Sequence, residues 1–430
     1  MRESAHEPGS VLRTALTLSV SSLILLIACI LLTFLHGLIP NHLVAAHAEA
    51  SLQQLYTEET YPVVLWSAVD NYTNRIMVQE TDNSLLLSDE AGKYYNQRKP
   101  IDNYNSFQRA LYADGYDRYW HGYLTYLRPL LVFFDYAQVR IVMAFTFVAL
   151  FALCLWQIRK RISLTAAVTF CMTILIMNPL AICLSTQFFS VFLVMFLALL
   201  VLMRMLAKQS ENRLLLVLFL AVGGITSFID LLTAPLITLG IPLIILILYK
   251  DKLPSPAISF GKTARGLLAF VLVWIFGYAL IWASKWALSA LILGKDSFAV
   301  AAMKISSWSH GSLDLSDWLS DAVHDAGLLP LTIFAGAALL VVVLALVPLL
   351  MSLLRKPRAG LKAFTTDIAL FCVALMPVVW FAVITTHSVT HYWMTYRIFS
   401  ISLLALILIF LRQRPRLHHR KPEVAPYRKS

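Results

Sequence analysis

Tyr119-Trp120-His121-Gly122-Tyr123-Leu124-Thr125-Tyr126-Leu127-Arg128-Pro129-Leu130 closes a polar segment that begins near His36 and ends at Arg140. One long apolar run, Val11 to Leu35, precedes that segment, and nearly everything after it is apolar. The segment carries half of the chain's 24 Asp and Glu residues, so it is the one large piece built for water. This layout reads as an all-α, polytopic membrane protein of about ten transmembrane helices, with a large outer loop of amphipathic helices between the first and second.

Composition agrees. Of 430 residues, 59% are hydrophobic and 14% charged, whereas soluble domains carry roughly a quarter charged residues. The five cysteines, Cys29, Cys154, Cys171, Cys183 and Cys372, all fall in apolar runs and form no C-x-x-C, which implies neither a disulfide framework nor a zinc site. They read as packing residues.

Val11 to Leu35 is long enough to cross a bilayer, which needs roughly 20 residues. Ala46-His47-Ala48 resembles a signal-peptide cleavage site, but the apolar run is too long and that site too distant for a cleaved leader. Further spans are expected at about 139–157, 163–182, 188–206, 213–231, 233–249, 266–292, 328–354, 366–385 and 397–412. Arg159-Lys160-Arg161, then Arg204, Lys208 and Arg213, then Lys250, Lys252, Lys262 and Arg265, then Arg355, Lys356, Arg358 and Lys362, and the tail from Arg412 all fall on one side of these spans. By the positive-inside rule both termini are expected in the cytoplasm and the chain in the plasma membrane. The net charge of +11 is therefore a topology signal, and a nucleic-acid partner is not implied. The expected organisation is a single membrane domain, 1–412, whose first outer loop covers 36–138, followed by a basic tail, 413–430.

The unusual polar residues gather on the other side. Tyr61, Val64, Leu65, Ala68, Asn71, Tyr72 and Arg75 recur at helical spacing, which predicts an amphipathic surface helix with its apolar side toward the membrane. Asp70 on it is either a helix cap or a base at the level of a lipid headgroup, with Glu58 and Glu59 as competitors. In the 119–130 stretch an interfacial aromatic belt accounts for most of the Tyr and Trp residues, but not for a His and an Arg among them. Aromatic faces with fixed donors suit a sugar ring and Arg suits phosphate, which makes His121, Tyr123 and Arg128 candidate substrate contacts.

Asp230, in Ser227-Phe228-Ile229-Asp230-Leu231-Leu232-Thr233-Ala234-Pro235, costs on the order of 3 kcal/mol to place in an apolar stretch. It either faces a cavity as a catalytic group or caps a helix in a short outer turn. His387 and His391, four apart, are either half of a metal site or donors to a phosphate or sugar, with Arg397 as charge partner of a pyrophosphate. Trp308 and His310 are further pocket candidates. Asp314, Asp317, Asp321, His324 and Asp325 have the spacing of a solvated helix face.

Three of these stretches, 119–130, 227–235 and 387–397, resemble those of a family of bacterial multi-pass membrane proteins, a likeness that spans most of the chain and implies no activity. More distantly, one span, a large outer loop of surface helices and then many spans is similar to the GT-C superfamily of polyprenyl-phosphate-sugar glycosyltransferases. That resemblance implies an acidic general base in the first outer loop, basic residues on the donor phosphate, and transfer of a sugar from a polyprenyl-phosphate-linked donor to a cell-envelope glycan or lipid. Asp70 matches the base by position. The Asp-Asp or Glu-x-Asp pair that many members carry there is missing, so the need for a divalent cation stays open. The expected site is Asp70 and Asp230 as catalytic carboxylates, with His121, Tyr123, Arg128, Trp308, His310, His387, His391 and Arg397 on the substrate. The alternatives are a transporter or flippase of lipid-linked glycans, whose polar residues would sit nearer the bilayer midplane, and an envelope-polymer polymerase or ligase, whose large outer loop would come late in the chain.

Overall fold

The computed structural model describes residues 8–82, 105–112, 118–254, 260–310 and 361–412. The expected span 328–354, the acidic group Asp314 to Asp325 and the tail 413–430 lie outside the described residues. In chain order the elements are α1 (Pro8–Gly37), α2 (Asn41–Thr57), β1 (Val63–Val64), β2 (Ser67–Ala68), α3 (Asn71–Gln79), α4 (Ser106–Leu111), α5 (Leu124–Leu131), α6 (Tyr136–Arg161) and α7 (Leu164–Ile176). After these come α8 (Pro179–Leu184), α9 (Thr186–Ala207), α10 (Asn212–Ile229), α11 (Ile237–Lys252), α12 (Phe260–Leu293) and α13 (Ser297–His310). Last are α14 (Leu361–Ala374), α15 (Met376–Val383), α16 (Thr385–Thr390), α17 (Tyr392–Thr395), a 3₁₀ turn (Tyr396–Phe399) and α18 (Ser400–Arg412).

Seven helices among the described residues are long and apolar enough to cross a membrane: Val11–Gly37, Tyr136–Arg161, Thr186–Ala207, Asn212–Ile229, Gly261–Leu293, Lys362–Val383 and Tyr392–Arg412. The expected span 163–182 is broken. Pro179 disfavours a helical conformation for the residue before it, and Asn178 takes the left-handed region at φ 61°, which Asn tolerates. The other short piece, α11, is buried on every side from Ile237 to Leu248. An all-round apolar helix belongs at the centre of a bundle, and α11 packs there against α9, α10, α12, α14 and α18.

The basic loop ends meet at one end of the bundle. Arg412 forms ion pairs with Asp251 at 2.7 Å and Asp367 at 2.9 Å, Thr366 donates to Asp251, and Lys252 donates to the Arg161 carbonyl. Four chain-distant segments assigned to one side by their charge are thus in contact. On the lateral faces α10 and α12 touch through glycine: a Cβ on Gly223 would lie 2.1 Å from the Trp274 carbonyl oxygen, and one on Gly277 would lie 2.2 Å from that of Leu220. Close backbone approach through small residues is the usual way membrane helices gain packing without a hydrophobic driving force.

At the opposite end the described parts of the 36–140 segment, 36–82, 105–112 and 118–140, fold back onto the helices. The single amphipathic helix expected over 61–75 is not formed. Val63 and Val64 pair antiparallel with Ala68 and Ser67 in a two-residue hairpin, and the helix begins only at Asn71. Pro62 and two β-branched valines favour extended backbone, which outweighs the helical spacing of the apolar residues.

The loop is fastened to the membrane helices by a polar network. Arg140 on α6 grips Glu58 with two bonds, 2.7 and 2.9 Å, and donates to Asn71 Oδ1. Asn74 in turn accepts from Thr186 N and Ser185 Oγ and donates to the Leu184 carbonyl. Burial works to raise the Glu58 carboxyl, but the hydrogen bonds and charge of Arg140 outweigh it and hold the group below the usual carboxylate range. Glu58→Ala should cost about 2 kcal/mol in thermal or denaturant unfolding, the value of a charge-assisted hydrogen bond in a semi-buried place. Glu211→Ala, which removes the exposed pair with Arg213, should cost under about 0.5 kcal/mol in the same assay.

Candidate functional site

The turn between α10 and α11 is the seat of the site. α10 ends at Ile229, and Asp230 folds the chain over by accepting from Thr233 N with both carboxylate oxygens, 3.0 and 3.1 Å, while Leu232 takes φ 68°. Asp230 therefore shapes the turn and does not cap the N-terminus of α11, where no side chain caps. The turn is fixed from below by Thr226 and Thr238, whose hydroxyls meet at 2.9 Å, and by the Trp274 indole, which donates to Thr238. Burial pushes the Asp230 carboxyl up to about 7, only partly offset by bonds from Thr233 and the 231–232 backbone. Such a group can exchange a proton near neutrality.

The 119–123 stretch docks on this turn. Gly122 N donates to the Phe228 carbonyl at 2.8 Å, and a Cβ at 122 would sit 2.4 Å from that oxygen, so only glycine fits. Trp120 packs tilted on Phe228. His121, at φ 56°, is buried, and its Nδ1 lies 2.9 Å from the Tyr123 hydroxyl. Two motifs far apart in the chain are one contact in space.

A third segment leans on the same turn. His387 Nε2 lies 3.1 Å from the Leu232 carbonyl oxygen, the His387 and His391 rings are 4.8 Å apart, and His391 meets Trp393 edge-on at 5.3 Å. Burial, then the neighbouring His391 and Arg118 charges, lower His387 to about 4 against the pull of the Leu232 carbonyl, so it is neutral at pH 7. Burial lowers His391 too. Trp393 carries the chain of contacts onward to the 58–82 segment, since its indole donates to Asp70 Oδ2 at 3.5 Å and its ring packs on Tyr61.

Asp70 is the N-cap of α3. Its Oδ1 accepts from Thr73 N and its Oδ2 from Thr73 Oγ1, both at 2.8 Å. Burial raises its pKa in spite of these bonds and the one from Trp393. Arg397, fully buried in the 3₁₀ turn, donates to the Trp393 carbonyl and to Ser67 Oγ, and its guanidinium lies 4.0 Å over the Phe188 ring. Its Nε has no partner and it forms no ion pair among the described residues. Trp308 and His310 end α13, which packs against α16; their side chains lie outside the described residues.

Arg128 has partners of its own. It donates to the Ile39 carbonyl and to Asn41 Oδ1, bracing the corner between α1 and α2 near Asp82. Neither bond goes to another of the candidate residues.

Two residues not singled out in the sequence join the site's walls. Arg118 brings its charge to His387, and its carbonyl accepts from the indoles of Trp282 and Trp286 at 2.8 and 3.1 Å. Lys285 is completely buried in α12 and donates to the Leu111 carbonyl. A lysine inside an apolar run of this length is itself the signal that would have found it. Among the described residues no group of three or more His, Cys, Asp or Glu is placed to hold a metal ion. Comparison with protein-family models, curated proteins and solved structures finds no match.

Proposed function

We propose that the Asp230 turn and the 387–397 segment form the reaction centre of a membrane glycosyltransferase of GT-C-like plan. In this reading a sugar passes from a polyprenyl-phosphate-linked donor to a cell-envelope glycan or lipid. The observation that carries the reading is the meeting of three chain-distant polar segments, 119–123, 226–235 and 387–393, at the end of the bundle away from the basic loops. Buried ionisable groups beside membrane helices are expensive and mark function by default.

The acceptor hydroxyl attacks the anomeric carbon, its proton goes to Asp230, and the bond to the donor phosphate breaks with the electron pair leaving on the phosphate oxygen. Asp230 suits the role of base better than Asp70 because it lies where the three segments meet and its carboxyl titrates near neutrality, with both oxygens sharing the Thr233 N–H, whereas Asp70 is held in a cap by Thr73 and Trp393. Asp70 is then a positioning residue that holds Trp393. His121 and His391 are contacts for substrate oxygens, while His387, whose one N–H goes to the Leu232 carbonyl, braces the turn. Arg397 supplies positive charge: an anion brought past Trp393 would relieve a buried guanidinium that has no counter-ion among the described residues.

Asp230→Asn, supplied as the sole copy in the producing cell, should lower transfer by a factor of about 10² to 10⁴, the usual share of a general base. The readout is the glycan profile of the envelope, with monodisperse elution of the purified variant as the check on folding. An unchanged profile from a folded Asp230→Asn protein would remove Asp230 from the chemistry.

A further inference from the structure

We infer that the tip of the 63–68 hairpin is a membrane wedge, seated among the acyl chains of the leaflet at the end opposite the basic loops, where it completes the lipid-facing surface above α7. This inference is independent of the proposed reaction.

The first support is a missing length. α7 has 13 residues, about 20 Å of helix, against a hydrocarbon core of about 30 Å. Its Leu164, Val168, Met172 and Leu175 form an exposed stripe at helical spacing, so this face looks outward to lipid. The stripe stops roughly 10 Å short of the far side of the core. The hairpin sits at that stop: the Trp66 indole donates to the Ile176 carbonyl at 3.2 Å, and Asn178 Nδ2 donates to the Val64 carbonyl at 2.6 Å.

The second support is how the end of α7 is satisfied. The last carbonyls of a helix have no partner within it, and away from water each must be given one. Here Ile176 is served by Trp66 and Met177 by the Tyr396 hydroxyl. Ser67 accepts from Arg397, which lies within the crossing helix Tyr392–Arg412, so the hairpin stands beside that span and not above it.

The third support is the tip itself. Val63, Leu65 and Trp66 are exposed, Val63 and Leu65 by 63% and 62%, with no part of the described chain over them. Leu65 sits at φ 58°, a position that hairpins fill with Gly or Asn because a β-carbon there crowds the following carbonyl oxygen. A bulky apolar residue held at such a position points to a gain from outside the chain, which burial among acyl chains supplies.

The test is a spin label on Leu65→Cys in lipid nanodiscs, with Cys171 and Cys372, the two cysteines that are not buried, changed to Ala. Leu175→Cys on the lipid face of α7 and Glu59→Cys on the exposed loop are the reference sites. The label at 65 should be more accessible to oxygen than to a water-soluble nickel chelate, as at 175 and in reverse of 59. Accessibility dominated by the nickel chelate would place the tip in water. Protection from both reagents would mean that a protein surface covers it. Either result overturns the inference.

Discussion

Gly277→Leu should abolish recovery of monodisperse protein from membranes, and Gly277→Ala should already lower the unfolding temperature. The physical reason is the distance of 2.2 Å between a Cβ at 277 and the Leu220 carbonyl oxygen, with Gly224 N a further 3.2 Å contact. That oxygen belongs to a helix backbone and cannot rotate aside, so α10 and α12 must separate by roughly 1 Å even for a methyl group. Overpacking of this kind costs about 1–3 kcal/mol for one added methyl, and a leucine multiplies the conflict. Separation would also pull Trp274 away from Thr238, and with it the support under the Asp230 turn. The control lies on the same helix: a Cβ at Gly266 meets nothing within 4 Å, so Gly266→Leu should express and melt like the parent. Equal behaviour of the two leucine variants would show that the α10–α12 contact is not close.

Asp230→Asn and His387→Gln should tilt the pH dependence of stability in opposite directions. The Asp230 carboxyl titrates near 7 in the folded chain and near 3.8 unfolded, so the folded state binds the extra proton between those values. Its contribution is fully present below 3.8 and is lost as pH rises through 7. His387 titrates near 4 folded and 6.5 unfolded, so the unfolded state binds the extra proton there. Its contribution is full above 6.5 and is lost as pH falls through 4. Between about 4 and 6.5 the two slopes oppose and nearly cancel in the parent. Asp230→Asn removes the falling slope, so relative to the parent it should gain on the order of 4 kcal/mol between pH 4 and pH 8. His387→Gln keeps a donor for the Leu232 carbonyl and should show the reverse trend, on the order of 3 kcal/mol. Thermal melts of the three proteins across this range measure both; parallel curves would show that neither group is held in its buried state.

Much of the architecture is readable from the chain because a bilayer admits so few solutions. Long apolar runs and a one-sided distribution of Lys and Arg place the spans, and Asp251, Asp367 and Arg412 meet where that alternation requires. The break at Asn178-Pro179 was also there to be read as a helix-ending dipeptide inside an apolar run. The hairpin at 63–68 was not: apolar residues at i, i+3 and i+4 fit a surface helix equally well, and nothing local announces a leucine at positive φ. Of the site, the stretches holding His121, Asp230 and His387 could be chosen by their polar residues, since such groups are costly among apolar neighbours. Their partners could not. Arg128 stands in the same motif as His121, yet one turn of helix sends it to Ile39 and Asn41. The cap role of Asp70 was among the expected alternatives, while the contact of Trp393 with it joins residues more than three hundred apart.

The enclosed position of α11 sets an order on how the molecule can be made. Three of the helices that wall it in, α12, α14 and α18, are synthesised after it, and the last two belong to the final quarter of the chain, so a growing chain must leave this buried helix open on that flank until they arrive. The same late arrivals bring His387, His391, Trp393 and Arg397 to the Asp230 turn. Completion of the scaffold and assembly of the site are then a single event, and a nascent chain interrupted before it holds neither.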